Sequence, residues 1–106
     1  MKLFLGDFIK PINVVMLKYD ELQKKNENKD EEICGMYDST SHTIYMTNDD
    51  VIPVMDVLMH EISHALIAEQ DIIEDEEHKA DILAIRLKKL LENKEKIYVF
   101  TQRGVC

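Results

Sequence analysis

Two histidines stand four residues apart at His60 and His64, with Glu61 directly after the first. Such a pair can act together only if the backbone between them is helical. On an α-helix, residues four apart share one face, with Cβ atoms about 5–6 Å from each other. Two imidazoles at that separation can converge on one ion, at metal–nitrogen distances of about 2.0–2.1 Å for zinc. Glu61 lies roughly 100° round the helix from His60, so its carboxylate flanks the ion without being forced to bind it. From there it can serve as a general base towards an attacking water.

The neighbouring residues predict the helix that this geometry needs. Pro53 suits a first turn, with Asn48, Asp49 or Asp50 upstream as cap or turn residues. From Val54 to Glu69 there is no glycine or further proline. Met55, Leu58, Met59, Ile62, Ala65, Leu66 and Ala68 form a wide apolar face, as expected of a largely buried helix. Val57, His60, Glu61, His64 and Ala68 share the other face. The plainer reading of these residues is a core helix with two hydrogen-bonded histidines and an unrelated acid. The pattern's position on a credible helix in apolar surroundings favours the metal site.

The remaining residues predict an α+β domain spanning 1–106, with a short antiparallel or mixed sheet of about three strands packed on the histidine helix and a second, C-terminal helix. Ile12 to Leu17, after Pro11, is rich in β-formers and reads as a short buried strand. Residues 19–32 are almost wholly polar and read as a helical turn followed by a solvated loop. Ile33 to Tyr37 and Thr43 to Thr47 flank the turn-rich Asp38-Ser39-Thr40-Ser41-His42, which is a hairpin pattern. A strand around Ile44, just before the histidine helix, is expected at a sheet edge, where an extended peptide could add to it. A second helix is expected from about Glu74 to Asn93, with Ala80, Leu83, Ala84, Leu87, Leu90 and Leu91 on its core stripe. Ile97 to Phe100 reads as a last short strand and residues 101–106 as a tail.

A tetrahedral zinc site with an open position needs three protein ligands, so the two histidines leave one to find. The acids Glu69, Asp71, Glu74, Asp75, Glu76, Glu77 and Asp81 crowd the region after the first helix. On the second helix Glu77, Ala80, Asp81, Ala84 and Lys88 share a face whose small alanines allow close approach. Glu77 is the preferred third ligand, with Asp81, Glu74 and His78 as competitors. Asp81, one turn on, would accept the outer N–H of a ligand histidine and fix its orientation. A donor for a developing oxyanion would also be needed. Tyr37, Tyr45, His42, His78, Tyr98 and Arg103 are all available, and the sequence does not choose among them.

His60-Glu61-Ile62-Ser63-His64-Ala65-Leu66, followed by Glu77-x-x-Ala80-Asp81-x-Leu83-Ala84, resembles the ImmA/IrrE-type metallopeptidases of bacteria and phages. Gly35-Met36-Tyr37 and Ile44-Tyr45-Met46 extend the resemblance upstream, so that it covers about residues 12 to 91. It implies a zincin-like fold and one catalytic Zn2+ held by His60, His64 and Glu77, with Glu61 as the acid/base. Members of that family cut partner proteins such as transcriptional repressors, which implies a regulatory cleavage of a protein substrate.

Two other classes remain in view. Peptide deformylases share the His-Glu-x-x-His pattern and take an upstream cysteine as third ligand, for which Cys34 is available. A zinc-stabilised binding module without activity would keep both histidines but have no need of Glu61. A formal charge of -8 argues against a nucleic-acid backbone as partner, since phosphate binding wants a basic stripe. With two cysteines, Cys34 and Cys106, too short an apolar run at the start for a signal peptide, and no membrane-length segment, a cytoplasmic location is expected.

Overall fold

In the computed structural model, residues 1–5, 10–27, 29–48, 53–70 and 75–103 are described. Four strands and four helices follow one another along them. They are β1 (Lys2–Leu3), β2 (Ile12–Met16), α1 (Tyr19–Lys25), β3 (Gly35–Asp38), β4 (Thr43–Met46), α2 (Val54–Gln70), α3 (Glu76–Glu92) and α4 (Lys94–Arg103). The strands form one mixed sheet in the order β1-β2-β4-β3. β2 pairs in parallel with β4, placing Val14 beside Ile44, while β3 and β4 form the expected antiparallel hairpin, with Tyr37 beside Ile44.

Alternation along the strands decides where the core lies. Ile12 and Val14 are buried and Val15 is exposed, while Ile44 and Met46 are fully buried and Tyr45 is only half-buried. These side chains, with Leu3 and Leu5, meet Val54, Val57, Leu58, Ile62, Ala65 and Leu66 of α2 in one apolar cluster. α2 therefore lies across one face of the sheet, and Ile97 of α4 joins the same cluster. No helix among the described residues is long and apolar enough to cross a membrane.

Several expectations need correction. The sheet has four strands rather than about three, because Lys2 and Leu3 pair with Asn13 and Ile12 through backbone groups that leave no pattern in two residues. The polar stretch from Tyr19 contains a helix of two turns. Asp20 and Glu21 occupy its first turn and Lys24 and Lys25 its last, which suits the helix dipole, and Leu22 anchors it in the core. Ile97 to Phe100 is helical. Ile97 and Thr101 are 3% exposed whereas Tyr98 and Val99 face out, a spacing of four that one-sided packing on α2 selects over local β-propensity. Thr101 to Arg103 thus belong to α4 and not to a tail.

The inner face of α3 also differs from the expected stripe. Ile82 and Arg86 are buried, with Lys79, Leu83 and Leu90 half-buried, while Leu87 and Leu91 are 45% and 69% exposed. At roughly 100° per residue the buried set spans one arc. Glu77, Ala80, Asp81, Ala84 and Lys88 occupy the opposite one.

Candidate metal centre

The apolar stripe of α2 runs through Val54, Val57, Leu58, Glu61, Ile62, Ala65 and Leu66, all buried. Glu61 is its one charged member and is 6% exposed. His60 and His64 lie on the rim of that stripe and are exposed. The helix starts where the sequence indicates: the Pro53 carbonyl accepts the N–H groups of Asp56 and Val57 at 3.0 and 3.2 Å. Of the upstream cap candidates, Asp49 and Asp50 lie outside the described residues.

The two imidazoles converge. Their Nε2 atoms are 3.1 Å apart, with ring centroids at 4.7 Å and planes at 86°. Two ligands of a tetrahedral ion at 2.0–2.1 Å are separated by about 3.3 Å, so a small relaxation of either ring would seat both nitrogens on one zinc. Ligand atoms of His60, Glu61 and His64 all fall within 4.8 Å of one another, and among the described residues no other such group of histidines, cysteines and acids occurs. The residues present fit a zinc ion through the two histidines. Burial raises the pKa of Glu61 above its ordinary value, opposed by the neighbouring His64 and His60.

Gly35 brings β3 directly over this helix. A Cβ there would lie 2.8 Å from Val57 Cγ1 and 3.1 Å from Glu61 Cγ. Gly35→Ala is accordingly expected to cost about 1–3 kcal/mol of stability, the range for inserting a methyl group into a filled space. Urea unfolding should show it as a lower midpoint at unchanged slope. Two clefts open on either side of this contact, both lined by Gly35 and Glu61. One, of about 500 Å³, adds Tyr37, His64, Ile67 and Ala68. The other, of about 420 Å³, adds Glu32, Cys34, Asp56 and His60.

The structure brings together three of the expected site residues and leaves the others apart. Glu77 is exposed in the first turn of α3, where its N–H donates to Asp75 Oδ1 at 3.0 Å, and it stands outside the histidine group. Asp81 and His78 are exposed on the same helix and do not join it. The physical reason is the turn of α3 about its axis, which spends its inner face on Ile82 and Arg86. Glu74 and Asp71 lie outside the described residues, as do Cys106 and the side chain of Arg103. Cys34 lines the cleft beside His60, yet its sulfur is not in the ligand group.

A second polar cluster, which the sequence does not single out, lies next to Tyr37. Glu69, near the end of α2, has Oε1 3.6 Å from His42 Nε2 and Oε2 3.9 Å from Arg86 Nη2. Arg86 is 2% exposed, and its Nε and Nη1, like His42 Nδ1, are buried without a hydrogen-bond partner among the described residues. His42 has φ 51°, the only non-glycine in the left-handed region among the described residues. Its ring stands edge-on to Tyr37 at 6.3 Å and 88°. A cation at the i+4 position of Ile82 and the i−4 position of Leu90 is the one sequence signal that α3 buries a charge.

No protein-family model, curated protein or solved structure matches the chain.

Proposed function

We propose that the chain is a zinc-dependent endopeptidase acting on a protein substrate. The observation that carries this reading is the pair of exposed imidazoles with Nε2 atoms 3.1 Å apart beside a buried glutamate. His60 and His64 would hold the ion, which when bound supplies the acidification of water and the polarisation of a carbonyl. Glu61 takes the proton of the attacking water and delivers it to the departing amine. Its burial, which raises its proton affinity, suits a group that must both accept and return a proton.

Substrate binding by strand addition moves to a different strand from the one expected. β4, which holds Ile44, is paired on both sides, with β2 and β3, and has no free edge. β3 is an edge strand, and its residues Gly35 to Tyr37 line the cleft with Glu61 and His64. An extended peptide paired with β3 would run past Glu61. The motif's resemblance to ImmA/IrrE-type enzymes supports a regulatory cleavage in a bacterial or phage setting.

Titration calorimetry of the metal-stripped chain with zinc tests the site. One ion should bind per chain. His64→Ala should weaken it by more than the 10–100-fold, roughly, that losing a ligand's hydrogen-bond partner costs. Glu77→Gln in the same titration decides whether α3 contributes. Unchanged affinity agrees with the outward position of Glu77, and a loss as large as that of His64→Ala means that α3 turns when the ion binds. A wild-type chain that takes up no zinc removes the basis of the reading.

A further inference from the structure

We propose that Tyr37 donates the hydrogen bond that holds the scissile carbonyl oxygen, and that His42, tethered through Glu69 to Arg86, is the residue that positions it. The inference rests on the peptidase reading and chooses among donors that the sequence leaves equal.

Strand geometry places Tyr37. Side chains two apart on a strand point to the same side of the sheet, so Tyr37 faces the way Gly35 does, towards α2. Gly35 lies against Glu61. Tyr37 is two residues further on, about 6.6 Å along the strand, as His64 is nearly one turn further along α2. Both residues line the same cleft with Glu61. The Tyr37 hydroxyl makes no hydrogen bond among the described residues, so its proton is available to a ligand. The phenol also stays protonated, because burial and then the charges of Glu69 and Asp38 raise its pKa above 10.0.

The other candidates are placed elsewhere. Tyr45 alternates out of step with the buried Ile44 and Met46, and Lys25 covers its ring at 4.4 Å. Tyr98 lies on α4 against Met55 and Lys94, in a cleft that contains neither histidine. His78 is exposed on α3.

The cluster behind Tyr37 explains two otherwise unexplained features. A histidine held at φ 51° is in a conformation that glycine or asparagine adopts more readily, and a buried arginine with two unpartnered nitrogens is unfavourable by itself. Both lie against Glu69, His42 Nε2 at 3.6 Å and Arg86 Nη2 at 3.9 Å, which places opposite charge beside the ring that stands edge-on to Tyr37. A donor held this way needs no reorganisation as the carbonyl carbon becomes tetrahedral, and it gives up no proton.

The test uses the zinc-loaded chain and a peptide that it cleaves. Tyr37→Phe should lower kcat by about 10²–10³-fold, the range for losing one oxyanion donor, with KM and zinc affinity unchanged and Tyr45→Phe as an inert control. Binding of a phosphonate peptide, which mimics the tetrahedral state, should weaken in Tyr37→Phe by a similar factor while binding of the uncleaved product does not. His42→Asn keeps a residue suited to φ 51° but removes the ring. It should lower kcat less than Tyr37→Phe does, and the double variant should be no worse than Tyr37→Phe alone. If wild type cleaves and Tyr37→Phe keeps its kcat and phosphonate affinity, the donor role is overturned while the peptidase reading stands. If the two substitutions multiply, His42 does not act through Tyr37. A zinc-loaded wild type that cleaves no peptide overturns the peptidase reading itself, and this inference with it.

Discussion

Glu61→Gln is expected to leave zinc affinity intact and to lower peptide cleavage by about 10²–10⁴-fold, the share of rate that a positioned general base contributes. The amide has nearly the shape of the carboxylate, so the contact with Gly35 and the stripe of α2 are kept. Only the proton acceptor is lost. The same substitution has an opposite effect on the metal-free fold. Because burial raises the pKa of Glu61 from its ordinary 4.5, the folded chain holds that proton more tightly than the unfolded chain does. Stability from this group is therefore complete below about pH 4.5 and is lost as pH rises through the raised value. Metal-free Glu61→Gln, always neutral, should be more stable than wild type at pH 7, and the difference should close in acid. Urea midpoints at the two pH values measure it. A variant that loses both cleavage and zinc, or that unfolds, would place Glu61 among the ligands or the structural residues instead.

α2 was legible because three signals agree on it: the proline at its start, the run from Val54 to Glu69 without glycine or further proline, and a wide apolar face; but Val57 and Glu61, expected on the face of the histidines, belong to the buried stripe. The hairpin was legible for a similar reason, since β-branched runs flank a turn-rich spacer. Which of its strands is the edge was not. That depends on β2 inserting beside β4 in parallel, a pairing between residues some thirty positions apart that no local pattern records. α3 carries two apolar stripes, Ala80-Ala84-Leu87-Leu91 and Ile82-Leu83-Leu90, and only the tertiary packing selects the second. The choice hinges on Arg86, whose burial depends on Glu69 lying within 3.9 Å on a different helix. The same rotation carries Glu77 and Asp81 away from the histidines, so the His60-Glu61-His64 group, set by one helix, comes together, while the two acids, placed by helix–helix orientation, stand outside it. Ile97 to Phe100 reads locally as a strand because two exposed β-formers, Tyr98 and Val99, interrupt a helical stripe of Ile97, Phe100 and Thr101.

The dependence of α3 on a buried charge gives the second large effect, on stability rather than catalysis. Glu69→Ala is expected to destabilise the chain by about 3–5 kcal/mol, because it leaves the guanidinium of Arg86 buried with no compensating charge. The native pair offers little surplus to set against that. At 3.9 Å it is longer than a direct hydrogen bond, and Nε and Nη1 have no hydrogen-bond partner among the described residues. Arg86→Met, which removes the buried charge and keeps the volume, should therefore be neutral or stabilising by up to about 1–4 kcal/mol. The two substitutions thus act in opposite directions on one ion pair, and urea unfolding of the single and double variants separates them. The double variant should recover most of what Glu69→Ala loses, since the orphaned charge is gone. A loss for Glu69→Ala of under about 1 kcal/mol, as for an exposed pair, would mean that Arg86 reaches solvent once released and that α3 is free to turn. In that case the outward position of Glu77 is one of two orientations, and the tether behind His42 and Tyr37 is not rigid. A full loss means that α3 is locked as described, with Arg86 held inward against Glu69.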